Sequence, residues 1–371
     1  MRVDADLRAE FGATVGRFLD AHSPAEVSRV SRGGAEEPLW KAFAEELGIL
    51  GLLLDEDAGG QGGSIADLGT ALIEAGRVGL PSSLLVTAGL AVPLLERAGV
   101  ERNRGLLDEI LAGRAIVALA LHEDSAGIDL DSPGTEAERA DGGCRVSGLK
   151  RFVAAGGEAT HFVVLARATG ATTPQTACLA LVERGAQGLA VEPMKALDGS
   201  RGLAMIRMDR VPGRILVEGD EAVALASRAF VEGALLTAAD ALGIGERCLW
   251  LAVDYAKTRT QFGRAIGSFQ AIKHKLADMY AETQSARSAV ESALDQAAAA
   301  EPGWENAASM AKARASDAVL HVVREAIHVH GGIGFTWEHE LSHHFRRALT
   351  DFSLFGTPAY HREIVARNLG V

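Results

Sequence analysis

Arg259-Thr260-Gln261-Phe262-Gly263-Arg264-Ala265-Ile266 stands between two long helical stretches, and its surroundings decide the architecture. Upstream, Glu221 to Thr258 carries apolar residues at helical spacing, broken only by glycines. Downstream, Phe269 to Ala300 repeats the pattern until Pro302-Gly303, and Ala307 to Val329 follows until Gly331-Gly332. Helices this long, each with an apolar stripe, predict a four-helix-bundle domain over residues 221–371, and spare apolar faces predict an oligomer. Residues 115–220 change period. Ile116 to Leu121, Cys144 to Gly148 with Lys150 to Val153, His161 to Ala166, Ala177 to Val182 and Leu203 to Met208 before Val211-Pro212-Gly213 are β-rich runs between turn residues. Residues 1–114 are helical again. Val3, Leu7, Phe11, Val15 and Phe18 recur at helical spacing, Ser23-Pro24 ends that helix, and Trp40 to Leu47 forms a second one before the apolar run Leu50 to Leu54. Gly59-Gly60-Gln61-Gly62-Gly63-Ser64 is a loop, Ser64 N-caps a helix from Ile65 to Ala75, and Pro81-Ser82 opens another through Leu95. The fold class is α+β and multidomain: an N-terminal helical domain, a central β-barrel-like or β-sandwich domain, and a C-terminal four-helix bundle.

A chain of 371 residues with a 48% hydrophobic share supports two or three domains with a sizeable core. The net charge of −12 argues against nucleic acid or an anionic membrane as partner. Cys144, Cys178 and Cys248 are scattered and in no metal spacing, which points to a reducing compartment. Met1 to Asp20 mixes acids with apolar residues and does not read as a signal peptide, and no uncharged apolar stretch of about 18 residues is present. The expectation is a cytoplasmic protein.

Three further groups of residues carry a resemblance. Trp40-Lys41 through Glu46-Leu47-Gly48-Ile49-Leu50-Gly51-Leu52 with Gly59-Gly60, the stretch Arg259 to Ile266 with Gln270-Ala271-Ile272, and His330-Gly331-Gly332-Ile333-Gly334-Phe335 occur in this order along the chain. In kind, order and separation they resemble three signatures of the acyl-CoA dehydrogenases, flavoenzymes that desaturate acyl-CoA thioesters. The resemblance covers nearly the whole chain.

It implies FAD bound at a subunit interface. In that family one chain surrounds the flavin ring with its β domain and supplies a catalytic glutamate, while the neighbouring chain reaches the pyrophosphate and adenine. Here the lending half comprises Arg259, Phe262, Gly263, Gln270, His328, Gly331, Gly332 and Gly334. Arg259 can pair with a pyrophosphate oxygen, Phe262 offers a ring face, and the glycines let backbone approach a phosphate. His328 stands where the family often has a glutamine and can still donate a hydrogen bond. Without the resemblance, Arg259 reads as a solvated helix-end charge and the glycines as a C-cap turn.

The flavin-ring half departs from the family's pattern. Where relatives read Thr-Glu-Pro-Gly-x-Gly-Ser-Asp, this chain has His122-Glu123-Asp124-Ser125-Ala126-Gly127-Ile128-Asp129. Where they read Trp-Ile-Thr-Asn-Gly it has Phe152-Val153-Ala154-Ala155-Gly156, so Ala154 replaces a hydroxyl facing the flavin N5 edge. The base position departs too. In Asp351-Phe352-Ser353-Leu354-Phe355-Gly356-Thr357 the residue before Gly-Thr is Phe355, which cannot accept a proton. Some relatives carry the glutamate on the helix before the Arg259 to Gly263 stretch, where Gly233 stands here. Its neighbour Glu232 reads first as an exposed helix carboxylate, and Asp351 is short and one turn away from Phe355. His339, His343 and His344 read as surface or interface histidines rather than metal ligands, and Arg346 as structural.

The resemblance therefore implies a subunit for acyl-CoA desaturation that lacks its own base and completes the FAD site of a homologous, glutamate-bearing subunit in a heterotetramer. Such pairs serve actinobacterial steroid side-chain catabolism, and an electron-transfer flavoprotein is the expected class of acceptor. Two alternatives stay open: a self-sufficient homotetramer with a different base, and a non-catalytic acyl-CoA-binding scaffold.

Overall fold

The computed structural model describes residues 5–22, 37–80, 83–123, 130–140, 142–169 and 176–371. The expected helix break at Ser23-Pro24, the expected helix start at Pro81-Ser82 and the segment Asp124 to Asp129 lie outside them. In chain order the elements are α1 (Ala5–His22), α2 (Glu37–Glu45), α3 (Ile65–Val78), α4 (Leu84–Val86), α5 (Val92–Arg97) and α6 (Val100–Leu111). Strands β1 (Val117–Ala120), β2 (Glu136–Ala140), β3 (Gly143–Val153), β4 (His161–Thr169), β5 (Thr176–Glu183), β6 (Leu189–Pro193) and β7 (Ala204–Glu218) follow. The chain ends with α7 (Asp220–Thr258), the hairpin β8 (Thr260–Gln261) and β9 (Arg264–Ala265), α8 (Gln270–Ala298), α9 (Trp304–His330), α10 (Glu340–Ser353) and α11 (Pro358–Asn368). They fall into two compact units, one of Met1–Val30, Ser64–Leu80 and Ala234–Val371, the other of Ser31–Gly63 and Pro81–Gly233.

The β segment of the second unit closes on itself. The order β4-β2-β3-β7-β5 is sealed by the pairing of β5 with β4, and β1 and β6 attach outside the ring. Closure leaves no open edge among the ring strands. Phe162 to Ala166 of β4 are buried without alternation, which is why that run reads as plainly apolar. β2 and β6 are the strands that apolar runs do not announce. In Glu136-Ala137-Glu138-Arg139-Ala140 only Ala137 is buried, and β6 buries none of its residues.

In the first unit Ser64 caps α3 as expected. Its hydroxyl accepts the Asp67 N–H at 3.4 Å while the Asp67 carboxylate accepts the Ser64 N–H at 2.8 Å, a reciprocal capping box. The helix runs past Ala75 to Val78 and stops at Gly79, whose φ is 65°.

α7 matches the long segment expected from Glu221 to Thr258 and continues through its glycines for 39 residues, so they are not helix stops. They mark a close helix crossing instead. A Cβ on Gly243 would lie 1.8 Å from the Ile73 carbonyl oxygen, and one on Gly76 would lie 1.9 Å from that of Asp240. At the same crossing Arg347 forks onto Asp240, 2.6 and 2.9 Å, and donates to the Leu80 carbonyl at 2.6 Å, all buried. Length and composition put α7 in the range of a membrane span, but 67% of its most apolar window is buried inside the protein, as in a core helix. Ile244, Cys248, Leu249 and Ala252 of α7 pack with Val319, Val322 and Val323 of α9 in one core. The three cysteines are buried free thiols.

Candidate functional site

The residues expected to reach a cofactor gather at one end of the first unit. Strands β8 and β9 pair Thr260 with Ala265 and Gln261 with Arg264, leaving a two-residue turn of Phe262 and Gly263. Both turn residues have positive φ, 51° and 78°. Tight hairpins favour that geometry but normally fill its first position with Asn, Asp or Gly. Here the position holds a phenyl ring that is 90% exposed. Its one ring neighbour among the described residues is Phe269, edge-on at 6.1 Å. The Arg264 guanidinium covers Phe269 from 4.1 Å. Gln270 begins α8 beside it and is exposed. The Arg259 guanidinium has no ion pair or hydrogen bond among the described residues, whereas its backbone is fixed by bonds to Tyr255 and Ile266, both 2.8 Å.

The glycine turn after α9 separates into two kinds of residue. A Cβ on Gly331 or Gly332 would meet nothing within 4 Å, so backbone is presented to open space. Gly334 is packed: its Cβ would sit 2.9 Å from that of His330. Gly334 is therefore a folding requirement of the turn, and Gly331 and Gly332 are the ones a phosphate could approach. His328 is exposed and bonded to Glu325 at 3.2 Å. Tyr255, one turn before Arg259, stacks on His330, one residue before Gly331, with ring centroids 4.3 Å apart. That contact brings the hairpin and the glycine turn together.

In the second unit the two stretches expected to line a flavin ring are neighbours. The rings of His122 and Phe152 lie 5.6 Å apart, and the Arg151 N–H donates to the His122 carbonyl at 2.8 Å. Phe152 and Ala155 take positive φ, 52° and 58°, which costs non-glycine residues about 1 kcal/mol or more each. The Ala155 N–H donates to the Arg201 carbonyl at 2.8 Å and helps to hold this turn. Ala154 is buried and brings no hydroxyl. Ile128, the other departure expected here, lies outside the described residues.

Sequence reasoning missed Lys150. It is 0% exposed, two residues before Phe152, with Nζ on Glu123 Oε1 at 2.7 Å. Glu123 also accepts the N–H groups of Gly134 and Thr135, 2.7 and 2.8 Å. Burial pushes the Lys150 ammonium down to about 8. Burial works against Glu123 too, but the bonds from Lys150 and Thr135 carry its carboxyl down to about 2. The pair pins the segment after β1 to β3. The signal was the alternation of β3, where Cys144, Val146 and Lys150 share the buried side.

The three positions considered for a base have different surroundings. Phe355 keeps the backbone of a presenting turn, with φ at 54° and Gly356 at 97°. Its carbonyl accepts His361 Nε2 at 2.8 Å, and His361 Nδ1 faces the Ser309 hydroxyl at 3.2 Å. Burial holds that imidazole down to about 4, so it is neutral at pH 7. Glu232 is not the exposed carboxylate its sequence context implied. It is 4% exposed and forked by Arg97 at 3.1 and 3.2 Å, with Arg228 at 2.8 Å. Arg97 arrives from α5, which no local pattern around Glu232 reveals. Asp351 is buried, and its carbonyl accepts the buried Lys312 ammonium.

The histidines near α10 serve separate local roles. His339 Nδ1 accepts the Leu341 N–H at 3.2 Å, His343 bonds the Trp337 carbonyl at 3.0 Å, and His344 lies 3.8 Å from Glu340. His344 is buried, not at the surface. The Arg346 guanidinium lies 4.1 Å over the Trp337 ring. Among the described residues no cluster of three or more potential metal ligands occurs.

The residues expected to lend contacts would suit FAD chemically: a guanidinium with no partner among the described residues, an uncovered aromatic ring and two glycines facing open space lie at one end of the first unit. Three family models match the chain: the acyl-CoA dehydrogenase N-terminal domain over residues 6–114, the middle domain over 118–211 and the C-terminal domain over 223–370. The chain is 33% identical to acyl-CoA dehydrogenase IpdE2 of Mycobacterium tuberculosis over 357 residues, 95% of this chain and 93% of that one. Among solved structures it resembles the Tcur3481-Tcur3483 steroid ACAD, with a TM-score of 0.86 at 28% identity over 98% of both chains. It also resembles the ChsE4-ChsE5 complex from Mycobacterium tuberculosis, with a TM-score of 0.88 at 25% identity over 99% of this chain and 98% of that one. A closed β ring between helical segments, three matched domains and relatives aligned end to end place this chain in the acyl-CoA dehydrogenase family, FAD-dependent oxidoreductases acting on acyl-CoA thioesters.

Proposed function

We propose that this chain is a base-lacking subunit of an acyl-CoA dehydrogenase, completing the FAD site of a homologous, glutamate-bearing partner. The observation that carries this reading is the state of its carboxylates. Phe355 occupies the presenting turn, Glu232 is held by two arginines, and Asp351 is buried. FAD, when bound, takes up the hydride that leaves the substrate Cβ. Arg259 would pair with the pyrophosphate, and the Gly331 and Gly332 backbone would approach it. Phe262 would cover an aromatic face, with Gly263, Gln270 and His328 flanking and Gly334 shaping the turn. The chain's own ring side supplies Phe152 as a wall, and Ala154 brings no side-chain hydroxyl there.

A two-plus-two heterotetramer in the cytoplasm follows, with a pseudo-symmetric interface, a bulky steroid-CoA thioester as substrate class and an electron-transfer flavoprotein as acceptor. Support for the pairing and the substrate comes from the steroid ACAD and the two-component complex among the relatives.

The test is FAD content per chain, purified alone and co-expressed with a glutamate-bearing homologue. The expected result is little FAD alone and about one per two chains together. Near one FAD per chain, with turnover by the isolated chain, would establish a self-sufficient homotetramer instead. Tight acyl-CoA binding with no flavin in either preparation would make the chain a scaffold.

A further inference from the structure

A cavity of about 690 Å³ lies in the second unit, lined by Arg102 of α6, Arg139 of β2, Arg214 and Glu218 of β7, and Glu221 in the first turn of α7. It sits by Gly143, at the opposite end of β3 from Phe152. Nine residues of extended chain separate those ends, about 30 Å. Nothing in the desaturation chemistry uses it.

Among the described lining residues three arginines face two carboxylates. Arg139 and Glu218 neutralise each other through a direct ion pair. Arg102 and Arg214 have no carboxylate partner among the described residues. Arg214 donates instead to the neutral Asn103 Oδ1 at 2.8 Å. Asn103 is buried and cannot turn away, because its amide nitrogen is tied to the Leu95 and Gly99 carbonyls at 2.8 and 3.0 Å. A guanidinium is thus held in place by a fixed neutral acceptor. Burial lowers the Arg214 pKa and the nearby charge of Arg102 lowers it further. Two like charges kept together at a cavity wall mean that the folded chain carries repulsion which an anion would relieve.

We infer that this cavity binds the phosphate group of a small phosphorylated metabolite that carries no nucleobase, clamped between Arg102 and Arg214. Phosphate suits two guanidiniums because it accepts from both in forked geometry and carries up to two negative charges. Glu221, exposed in the first turn of α7, offsets one of these two guanidinium charges and leaves the wall net positive. The volume is that of a metabolite site, well beyond a bare phosphate ion. No aromatic ring lines the cavity among the described residues, so a stacked base has no platform.

The test is isothermal titration of the full chain, in the assembly in which it purifies, with glycerol 3-phosphate as probe. Saturable binding is expected, weakened about tenfold in Arg102→Gln and at least as much in Arg214→Gln. Arg102 is exposed, so its variant reports on binding even where the Arg214 variant disturbs the fold. In low salt without ligand, Arg102→Gln should also raise the melting temperature by relieving the repulsion. Absence of saturable binding, equal affinity in both variants, or an equal effect of potassium chloride at matched ionic strength would overturn the site. Tighter binding of AMP or of inorganic phosphate than of the probe would overturn the assignment to a phosphorylated metabolite without a base.

Discussion

The Tyr255 ring lies stacked on the His330 ring, 22° from parallel. It joins the last turns of α7 and α9, from which the Arg259 hairpin and the Gly331 turn respectively emerge. His330 is fixed from two further directions, by Nδ1 on the Ala326 carbonyl at 2.8 Å and by the His339 ring at 4.8 Å. Tyr255→Ala should therefore disturb both lending elements together. A stacked pair of this kind contributes about 1 kcal/mol beyond burial. The FAD content of the paired assembly should fall several-fold in this variant and stay within about twofold in Tyr255→Phe. An equal loss in the phenylalanine variant would assign the effect to the phenol hydroxyl rather than to the stack.

Phe262 carries a conformational penalty for a ring that little in the isolated chain covers. Asn is at home where φ is 51°, so Phe262→Asn should stabilise the chain alone by up to about 1 kcal/mol. The same change should lower FAD retention in the assembly, because the aromatic face is gone. Thermal melting of the chain alone and flavin absorbance of the assembly read the two effects separately. A variant that keeps full FAD retention would show that the ring contacts no cofactor.

The glycines of this chain divide by what a methyl group would meet. Gly243→Ala places Cβ against the Ile73 carbonyl and should cost about 3 kcal/mol or more, read as a lower urea midpoint. Gly332→Ala meets no atom within 4 Å, so stability should stay within about 0.5 kcal/mol. Its FAD affinity should drop about tenfold or more, because the added methyl lies where backbone would approach a phosphate. A drop in stability equal to that of Gly243→Ala would mean that Gly332 is a packing residue.

The helices and most strands were legible because their signals are local. Ser64 with Asp67 announces α3, and the apolar run from Phe162 to Ala166 announces β4. β2 escaped because Glu136, Glu138 and Arg139 face outward and leave Ala137 as the one inward residue. The lending residues could be named from spacing and resemblance, whereas their common foundation could not, since Tyr255 and His330 are 75 positions apart in the chain. Glu232 was misread for the same reason: its burial and its Arg97 partner are long-range facts. The length of α7 was legible, but the role of its glycines was not, because composition alone does not distinguish a helix stop from a helix crossing.

His361 makes a pH prediction with a definite sign. Its folded value of about 4 lies below the ordinary 6.5, because burial disfavours the charged ring. Between those values the unfolded chain takes up a proton that the folded chain refuses. Stability should therefore fall as pH drops from 6.5 towards 4, with little further change from this group below that. His361→Gln can still donate to the Phe355 carbonyl and should flatten that slope. Urea midpoints at pH 7 and pH 4.5 compare the two, and an unchanged slope would place the acid sensitivity elsewhere.

Restoring the missing carboxylate is the sharpest probe of the subunit reading. The turn at Phe355 still has the left-handed backbone, and His361 still grips its carbonyl, so Phe355→Glu adds a carboxylate without remaking the turn. A general base supplies roughly 10²–10⁴-fold, but only to a site that holds flavin and substrate in register. With Ala154 in place of a hydroxyl and His122 beside Phe152, the chain alone should bind little FAD, and the variant should show no turnover above background. Adding Ala154→Thr and His122→Thr to Phe355→Glu should raise FAD retention before it raises activity. Brisk turnover by the single variant without a partner would refute the subunit role, since it would prove that only the base had been lost.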